Sequence, residues 1–345
     1  MYRTDPRMRY GSEEIWFAAS LYVLSWEEDF HQLMLNDHLR MEAFERAIKS
    51  AVRPGMAVAD VGTGTGILAL WALEAGARVV YGIDVNERIL RQAGQRMAAA
   101  GLSARFHPFH ALSHDVSLPE RVDLVVSEIL GNLADNEGMT PILADARARF
   151  LKEGGQMLPR RARAFLIPVA ATQAHDQLRS RRCRGLSERY DLDDLLADLQ
   201  VRSPFDVYYD AILPARTHLA APQEAVRFEF DGTDPDRYGR DLIFTVEEAG
   251  LFTGWKGYFT AELAEGVLLD ISSDDIAGRQ TSDSWKHCYL PIEHPIPVRA
   301  GDRIALRYAR SSAAGGETSF RACYSWSGTV RRADRVLAAF HSRMG

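Results

Sequence analysis

Cysteine is nearly absent: the 345 residues hold three, Cys183, Cys288 and Cys323, an odd number spread far apart. That argues against a disulfide framework and against a cysteine-based zinc site, and it fits a reducing cytoplasm. Long apolar runs are missing as well, and no stretch approaches the roughly 18 apolar residues of a membrane-spanning helix. The opening MYRTDPRMRYGSEE is charged where a secretory signal needs an apolar core. There is no excess of positive charge, the formal net charge being -6, so nothing global draws the chain to nucleic acid or to an anionic membrane. Repeats, low-complexity tracts and long Pro/Ser linkers are also lacking. These absences leave a cytoplasmic protein with no metal, no nucleic-acid partner and no membrane partner.

What is present divides into three parts. Residues 1–50 carry apolar positions at helical spacing, in IWFAASLYVL and MEAFERAI, and predict two helices. Residues 51–155 alternate the short β-branched runs Ala57–Val61, Val79–Ile83 and Val122–Val126 with helical patterns, the signature of a parallel, doubly wound α/β sheet. Residues 156–345 change texture: FLIPV, VRFEF, LIFTV, CYLPI and RIALRY, joined by turns such as Asp231-Gly232, predict an antiparallel β-barrel or sandwich. Within it, residues 172–200 read as a projecting helical arm. Its Leu192, Leu195, Leu196 and Leu199 fall at helical spacing and call for a partner surface, which a second subunit would supply. The basic run Arg179–Arg184 reads as a solvated face of that arm.

The first strand runs into VADVGTGTGIL. Gly62, Gly64 and Gly66 let the backbone turn tightly and approach a ligand, and the following helix presents its N-terminal amides there. Asp84 ends the next strand, 22 positions beyond Gly62, where an acid can accept both hydroxyls of a ribose. A dinucleotide fingerprint wants a small residue three positions after its second glycine, and Ile67 stands there. The GxGxG pattern favours S-adenosylmethionine over a nicotinamide dinucleotide.

The third run leads into SEILGNLADNE, with Glu128 and Glu137 nine positions apart. A continuous helix would put them on opposite faces, but Gly131-Asn132 offers a turn that folds the segment back on itself. Two carboxylates brought together need a cation between them, and a guanidinium pairs well with both. On spacing alone, a solvated strand-end acid and a helix-start acid explain the two residues equally well.

At this point the chain resembles the protein arginine methyltransferases, with both acids matched in SEILGNLADNEGM, the glycine motif in VADVGTGTGIL with Asp60, and the ribose acid in YGID. HQLMLNDHLRM is similar to the helix that closes over the cofactor in that family. The resemblance implies that His31, Met34 and Arg40 lie at the cofactor, Arg40 at its carboxylate, and that Asp37 lies near the reacting centre. SDSWKHCYLPIEHPI is similar to the family's Thr-His-Trp loop, with Trp285 matched. The similarity runs in order from about Trp26 to Gly328 and implies a Rossmann-like methyltransferase domain, a β-barrel domain and a homodimer formed through the arm.

Two departures bear on the substrate. Ser284 replaces the loop histidine, so a His–Asp pair with Asp37 cannot form. In LYVLSWEEDF, Tyr22 remains while a second aromatic position holds Ser25. The catalytic set implied is Glu128, Glu137 and Asp37, with Tyr22, Ser284 and Trp285 joining the two glutamates around the acceptor and Glu128 also touching the cofactor. Free arginine or a guanidino metabolite is preferred as acceptor, because the chain has no appended recognition domain and the changed segments point to a specialised pocket. A protein or peptide arginine is the alternative. A non-catalytic binding module and a methyltransferase acting on another nitrogen or oxygen are the rivals.

Overall fold

A computed structural model describes residues 10–26, 28–183, 191–274, 284–312 and 321–344. Arg184, at the end of the basic run, lies outside them, as do Ser282 and Asp283 of the Trp285 loop. The N-terminal region opens with strand β1 (Ile15–Phe17) and a 3-10 segment, Ala19–Ser25, followed by helices α1 (Glu28–Leu35) and α2 (His38–Ala51). The stretch IWF, expected to be helical, is a strand because its backbone pairs with residues 209–211 from the far end of the chain. Three apolar residues in a row carry no period that separates helix from strand.

The α/β part comprises β2 (Ala57–Val61), α3 (Ile67–Glu74), β3 (Val79–Asp84), α4 (Glu87–Ala99), β4 (Phe106–His110), β5 (Val122–Ser127), α5 (Met139–Phe150) and β6 (Leu151–Leu158). All pairings in this sheet are parallel, in the order β4-β3-β2-β5-β6. Every residue of β2 is buried, as expected of a central strand covered on both faces. The chain reverses its winding between β2 and β5, so the crevice for a ligand opens beyond their C-terminal ends. The Ser127 hydroxyl donates to the Val61 carbonyl at 2.7 Å and ties those two ends together. Gly62 follows one strand and Glu128 the other.

The rest of the chain contains β7 (Arg161–Val169), α6 (Thr172–Arg179), α7 (Leu192–Asp198), β8 (Tyr209–Ala211), β9 (Gln223–Phe228), β10 (Tyr238–Thr245), β11 (Gly250–Ala264), β12 (Val267–Asp270), β13 (His287–Val298), β14 (Arg303–Ser312), β15 (Ala322–Arg332) and β16 (Arg335–Arg343). The strands expected to form a barrel or sandwich are arranged as two antiparallel sheets. One runs β1-β8-β13-β11-β7-β9 with β12 beside β11, and the other runs β10-β14-β15-β16. Trp326 on β15 donates its indole N–H to the Pro291 carbonyl on β13 at 2.6 Å, joining the sheets through a buried contact.

The arm differs from expectation in one respect. Asp191 caps α7 in a capping box with Asp194, and Leu192, Leu195, Leu196 and Leu199 do lie on its buried side. They are covered by this chain itself, Leu195 completely. The face that called for a second subunit is already packed, which removes that reason for placing a dimer interface there.

Candidate active site

A cavity of about 740 Å³ opens at the switch between β2 and β5. Gly62 and Gly64, both with positive φ, form its floor, and Asp84 stands at its edge. One carboxylate oxygen of Asp84 accepts from the Gly64 N–H at 2.8 Å and the other from the Asn86 N–H at 2.8 Å. Each oxygen keeps a lone pair for a ligand hydroxyl. Burial raises the pKa of Asp84, and these backbone donors oppose the shift.

His31 and Met34 of α1 and Arg40 of α2 form the opposite wall. Burial first, then Arg40 and Arg88, push the His31 pKa down to about 4, so its imidazole is neutral at physiological pH. Two glycine-motif residues do not reach the cavity. Asp60 lies beneath the loop, where it accepts from the Thr63 hydroxyl at 2.7 Å and holds the turn. Gly66 packs α3 against α4, and a Cβ there would come within 2.8 Å of the Ala93 methyl. In this arrangement Asp60 and Gly66 shape the loop from behind, while Gly62 and Gly64 face the cavity.

The segment after β5 turns back sharply. The Gly131 N–H donates to the Ala134 carbonyl at 3.1 Å and the Ala134 N–H to the Gly131 carbonyl at 2.8 Å, closing a hairpin around Asn132-Leu133. Asn136 fills its inside, accepting from the Leu133 N–H at 2.9 Å. Only glycine fits at 131, since a Cβ there would sit 2.1 Å from Asn136 Oδ1. Outside, Leu133 packs against Gly257 of β11, which has no Cβ to obstruct it. The turn brings Glu128 and Glu137 into the wall of the same cavity.

Asp135, two residues before Glu137, is fully buried and anchors the hairpin to the second sheet. It accepts from the Tyr324 hydroxyl at 2.6 Å and the Tyr238 hydroxyl at 2.8 Å, and pairs with Arg310 at 3.2 Å. Arg310 also pairs with Asp236.

A guanidinium already stands among the acids. Arg40 forms an ion pair with Glu128 and lies 4.9 Å from the centre of the Trp285 ring. Burial, opposed by Asp37 and Glu137, lowers the Arg40 pKa to about 10, which leaves it charged. Burial also pushes Glu137 up to about 7; Arg40 opposes this and the nearby Asp210 adds to it. Behind Arg40 and the two glutamates lies a recess of about 20 Å³, reached also by Ser284, Trp285, Asn132 and Asp210. That is room for a group about the size of a water molecule. Asn132 donates to Asp210 at 2.8 Å, and Trp285 donates its indole N–H to the Leu130 carbonyl at 2.7 Å, so the recess walls are tied to each other.

Asp37 lies outside both spaces. Its Oδ1 accepts from the Arg40 N–H at 3.1 Å, capping α2, and its Oδ2 accepts from the Ser284 N–H at 3.0 Å and the Ser284 hydroxyl at 2.6 Å. The pair expected to be lost with the histidine exists as an Asp37–Ser284 pair, but a fully buried one. Tyr22 packs against the core and lines neither space. The arrangement thus defines an adenosine-type cleft with an acidic, aromatic-walled recess at one end. Sequence reasoning missed Asn132, Asn136, Asp135, Asp210 and Arg310. The two asparagines sit inside the segment already singled out, whereas Asp210 and Arg310 come from strands that carry no motif.

Fold and site together describe a class I methyltransferase joined to an antiparallel β domain. Comparison with known proteins makes this specific. Residues 39–158 match the family model of ribosomal protein L11 methyltransferase, and residues 161–336, more than half of the chain, match that of the PRMT5 oligomerisation domain. An arginine N(omega)-methyltransferase of Streptomyces achromogenes subsp. streptozoticus is 28% identical over 282 residues, spanning 81% of this chain and 75% of that protein. Protein arginine N-methyltransferase PRMT10 of Arabidopsis thaliana is 34% identical over 180 residues, 51% of this chain and 44% of the relative. The probable protein arginine N-methyltransferase 6 of the same plant is 37% identical over 142 residues, 41% and 32%. The match therefore spans less than half the length of these plant relatives. The solved structure of Arabidopsis protein arginine methyltransferase 10 superposes with a TM-score of 0.76 at 22% identity, covering 93% of this chain and 98% of that one. A Trypanosoma brucei PRMT1 enzyme-prozyme complex with AdoHcy gives 0.75 at 19%, covering 91% and 98%. The chain belongs to the protein arginine methyltransferase family, S-adenosylmethionine-dependent enzymes that methylate the guanidino group of arginine.

Proposed function

We propose that this chain methylates a guanidino nitrogen of free L-arginine or of a small guanidino metabolite, with Glu128 and Glu137 as the clamp. The observation that carries the reading is the placement of the two acids: Glu128 and Glu137 both line the large cleft, and Glu128 already pairs with a guanidinium, that of Arg40. The relative whose match runs through most of both chains is named for arginine. In sequence, the plant relatives named for protein arginine match about half of this chain or less, although protein arginine methyltransferase 10 superposes over 93% of it. The longer sequence match favours a small acceptor.

S-adenosylmethionine, when bound, would supply an electrophilic methyl carbon on a sulfonium; a guanidino nitrogen would attack that carbon in line, with S-adenosylhomocysteine as the leaving group. The pattern of donors and acceptors fits it: Asp84 has lone pairs for ribose hydroxyls, the Gly62–Gly64 loop leaves room for close approach, His31 and Met34 line the wall, and Arg40 offers a cation for a carboxylate. A guanidinium is a poor nucleophile because its lone pairs are delocalised. Glu128 and Glu137 hold positive charge on the nitrogens they face and leave the remaining one pointed at the methyl group, so catalysis is mainly positioning and electrostatic preorganisation. Trp285 walls the recess, and the Ser284 hydroxyl, donating to Asp37, turns lone pairs toward it. The methylated product sheds a proton to Glu137, whose pKa near neutrality suits that task. Asp37 has its oxygens occupied and acts by holding Ser284 and α2 in place.

The match to an oligomerisation domain supports assembly of copies, through a surface other than the leucine face of α7. The clamp is tested with Glu128→Gln and Glu137→Gln in single-turnover assays beside calorimetric titration with S-adenosylhomocysteine. The expected result is a rate loss of about a hundredfold or more with product-cofactor binding retained in Glu137→Gln. Near-normal turnover in either folded variant rules the clamp out.

A further inference from the structure

Past Glu137 and Gly138, the cavity wall is built from the ends of three adjacent strands. Asp236 and Arg237 immediately precede β10, Arg310 lies on β14 opposite Tyr238 and Tyr324, and Arg321 immediately precedes β15. Three guanidinium groups thus share one wall of the cavity that holds the acceptor clamp. Arg310 is spent on Asp135 and Asp236. Arg321 also faces the cavity, and among the described residues it forms no ion pair with a carboxylate.

A guanidinium in a cavity wall that pairs with no carboxylate among the described residues is suited to an anion brought by a ligand, and a carboxylate is the planar match for it. On the reading above, the cofactor's carboxylate falls to Arg40, which lines the cavity beside Glu128. The anion left for Arg321 is one carried by the acceptor. An arginine inside a peptide has no such group, and Arg237 and Arg321 repel the positive charge of an Arg/Gly-rich segment. We infer that Arg321 binds the α-carboxylate of the acceptor, so that the enzyme selects arginine with a free carboxyl end. The inference rests on the arginine-methylating reading above and adds the chemical feature that selects the acceptor.

The test is steady-state kinetics of wild type and Arg321→Gln with L-arginine, agmatine, which lacks the carboxylate, the dipeptide Gly-Arg, which retains it, and an Arg/Gly-rich peptide. Wild type is expected to favour arginine over agmatine by about tenfold or more in kcat/KM. Arg321→Gln is expected to collapse that ratio toward one through KM for arginine, Arg321→Lys to restore part of it, and both to bind S-adenosylhomocysteine like wild type. Turnover of Gly-Arg at the rate of arginine supports the carboxylate site and makes peptide C-termini a source of it; refusal of Gly-Arg supports it and confines the source to the free amino acid. Equal use of arginine and agmatine by wild type, or an unchanged ratio in Arg321→Gln, overturns the inference while arginine methylation stands. A rise in KM for S-adenosylmethionine in place of arginine overturns it as well, by giving Arg321 to the cofactor. Label in the Arg/Gly-rich peptide alone overturns both the inference and the small-acceptor reading.

Discussion

Glu137 is poised near neutrality, its pKa pushed up to about 7 chiefly by burial. It can hold a cation only when ionised, so kcat/KM for arginine is expected to rise with pH through about 7 with the slope of a single proton and to level off above it. A profile flat from about pH 5.5 to 8.5 would take this titration out of the mechanism. Ser284→Ala removes the hydroxyl that donates to Asp37 at 2.6 Å while keeping the backbone donor. It is expected to cost about 1–2 kcal/mol in stability, read from a denaturant titration, and several-fold in kcat. At this scale the sequence is legible where chemistry clusters: Glu128, Gly131 and Glu137 lie in one short segment, and the turn between the acids could be read from Gly131-Asn132. The insertion of the Arg40 guanidinium beside Glu128 could not, because it depends on how α2 is placed over the sheet. Asp60 and Gly66 belong to a recognisable motif, yet only coordinates separate the residues that shape a loop from those that face its ligand.

The acid hairpin is held from two sides, by β5 behind Glu128 and by the second sheet through Asp135. Burial raises the pKa of Asp135, and Arg310 together with the Tyr324 and Tyr238 hydroxyls counters that shift. Removing one donor leaves a buried carboxylate undersatisfied. Tyr324→Phe is therefore expected to lower stability by about 1–3 kcal/mol and to reduce kcat/KM by misplacing Glu137, while S-adenosylhomocysteine binding by calorimetry stays within about twofold. Unchanged kcat/KM in a destabilised variant would mean that the network serves the fold alone. The parallel sheet was open to sequence reading because its buried strands are continuous β-branched runs separated by helical patterns. The strand at Ile15–Phe17 was not, since its partner lies almost 200 positions away in sequence and its own pattern is ambiguous.

Across the whole molecule, the two halves meet at the site: the α/β sheet supplies the cleft and both acids, and the antiparallel sheets supply Trp285, Asp210 and the arginine wall. The helical spacing of the α7 leucines identified the helix correctly, but spacing says only that a face is covered, not what covers it. Because the chain covers them itself, Leu195→Ala is expected to cost about 2–5 kcal/mol, with a Tm drop that is the same at low and high protein concentration. A drop that grows on dilution would place those leucines in a subunit interface. The central claim concerns which molecule this assembly methylates. Purified protein, given isotopically labelled S-adenosylmethionine together with free L-arginine and an Arg/Gly-rich peptide, is to be followed by mass spectrometry. Label carried by free arginine is the predicted result. Label confined to the peptide would contradict it.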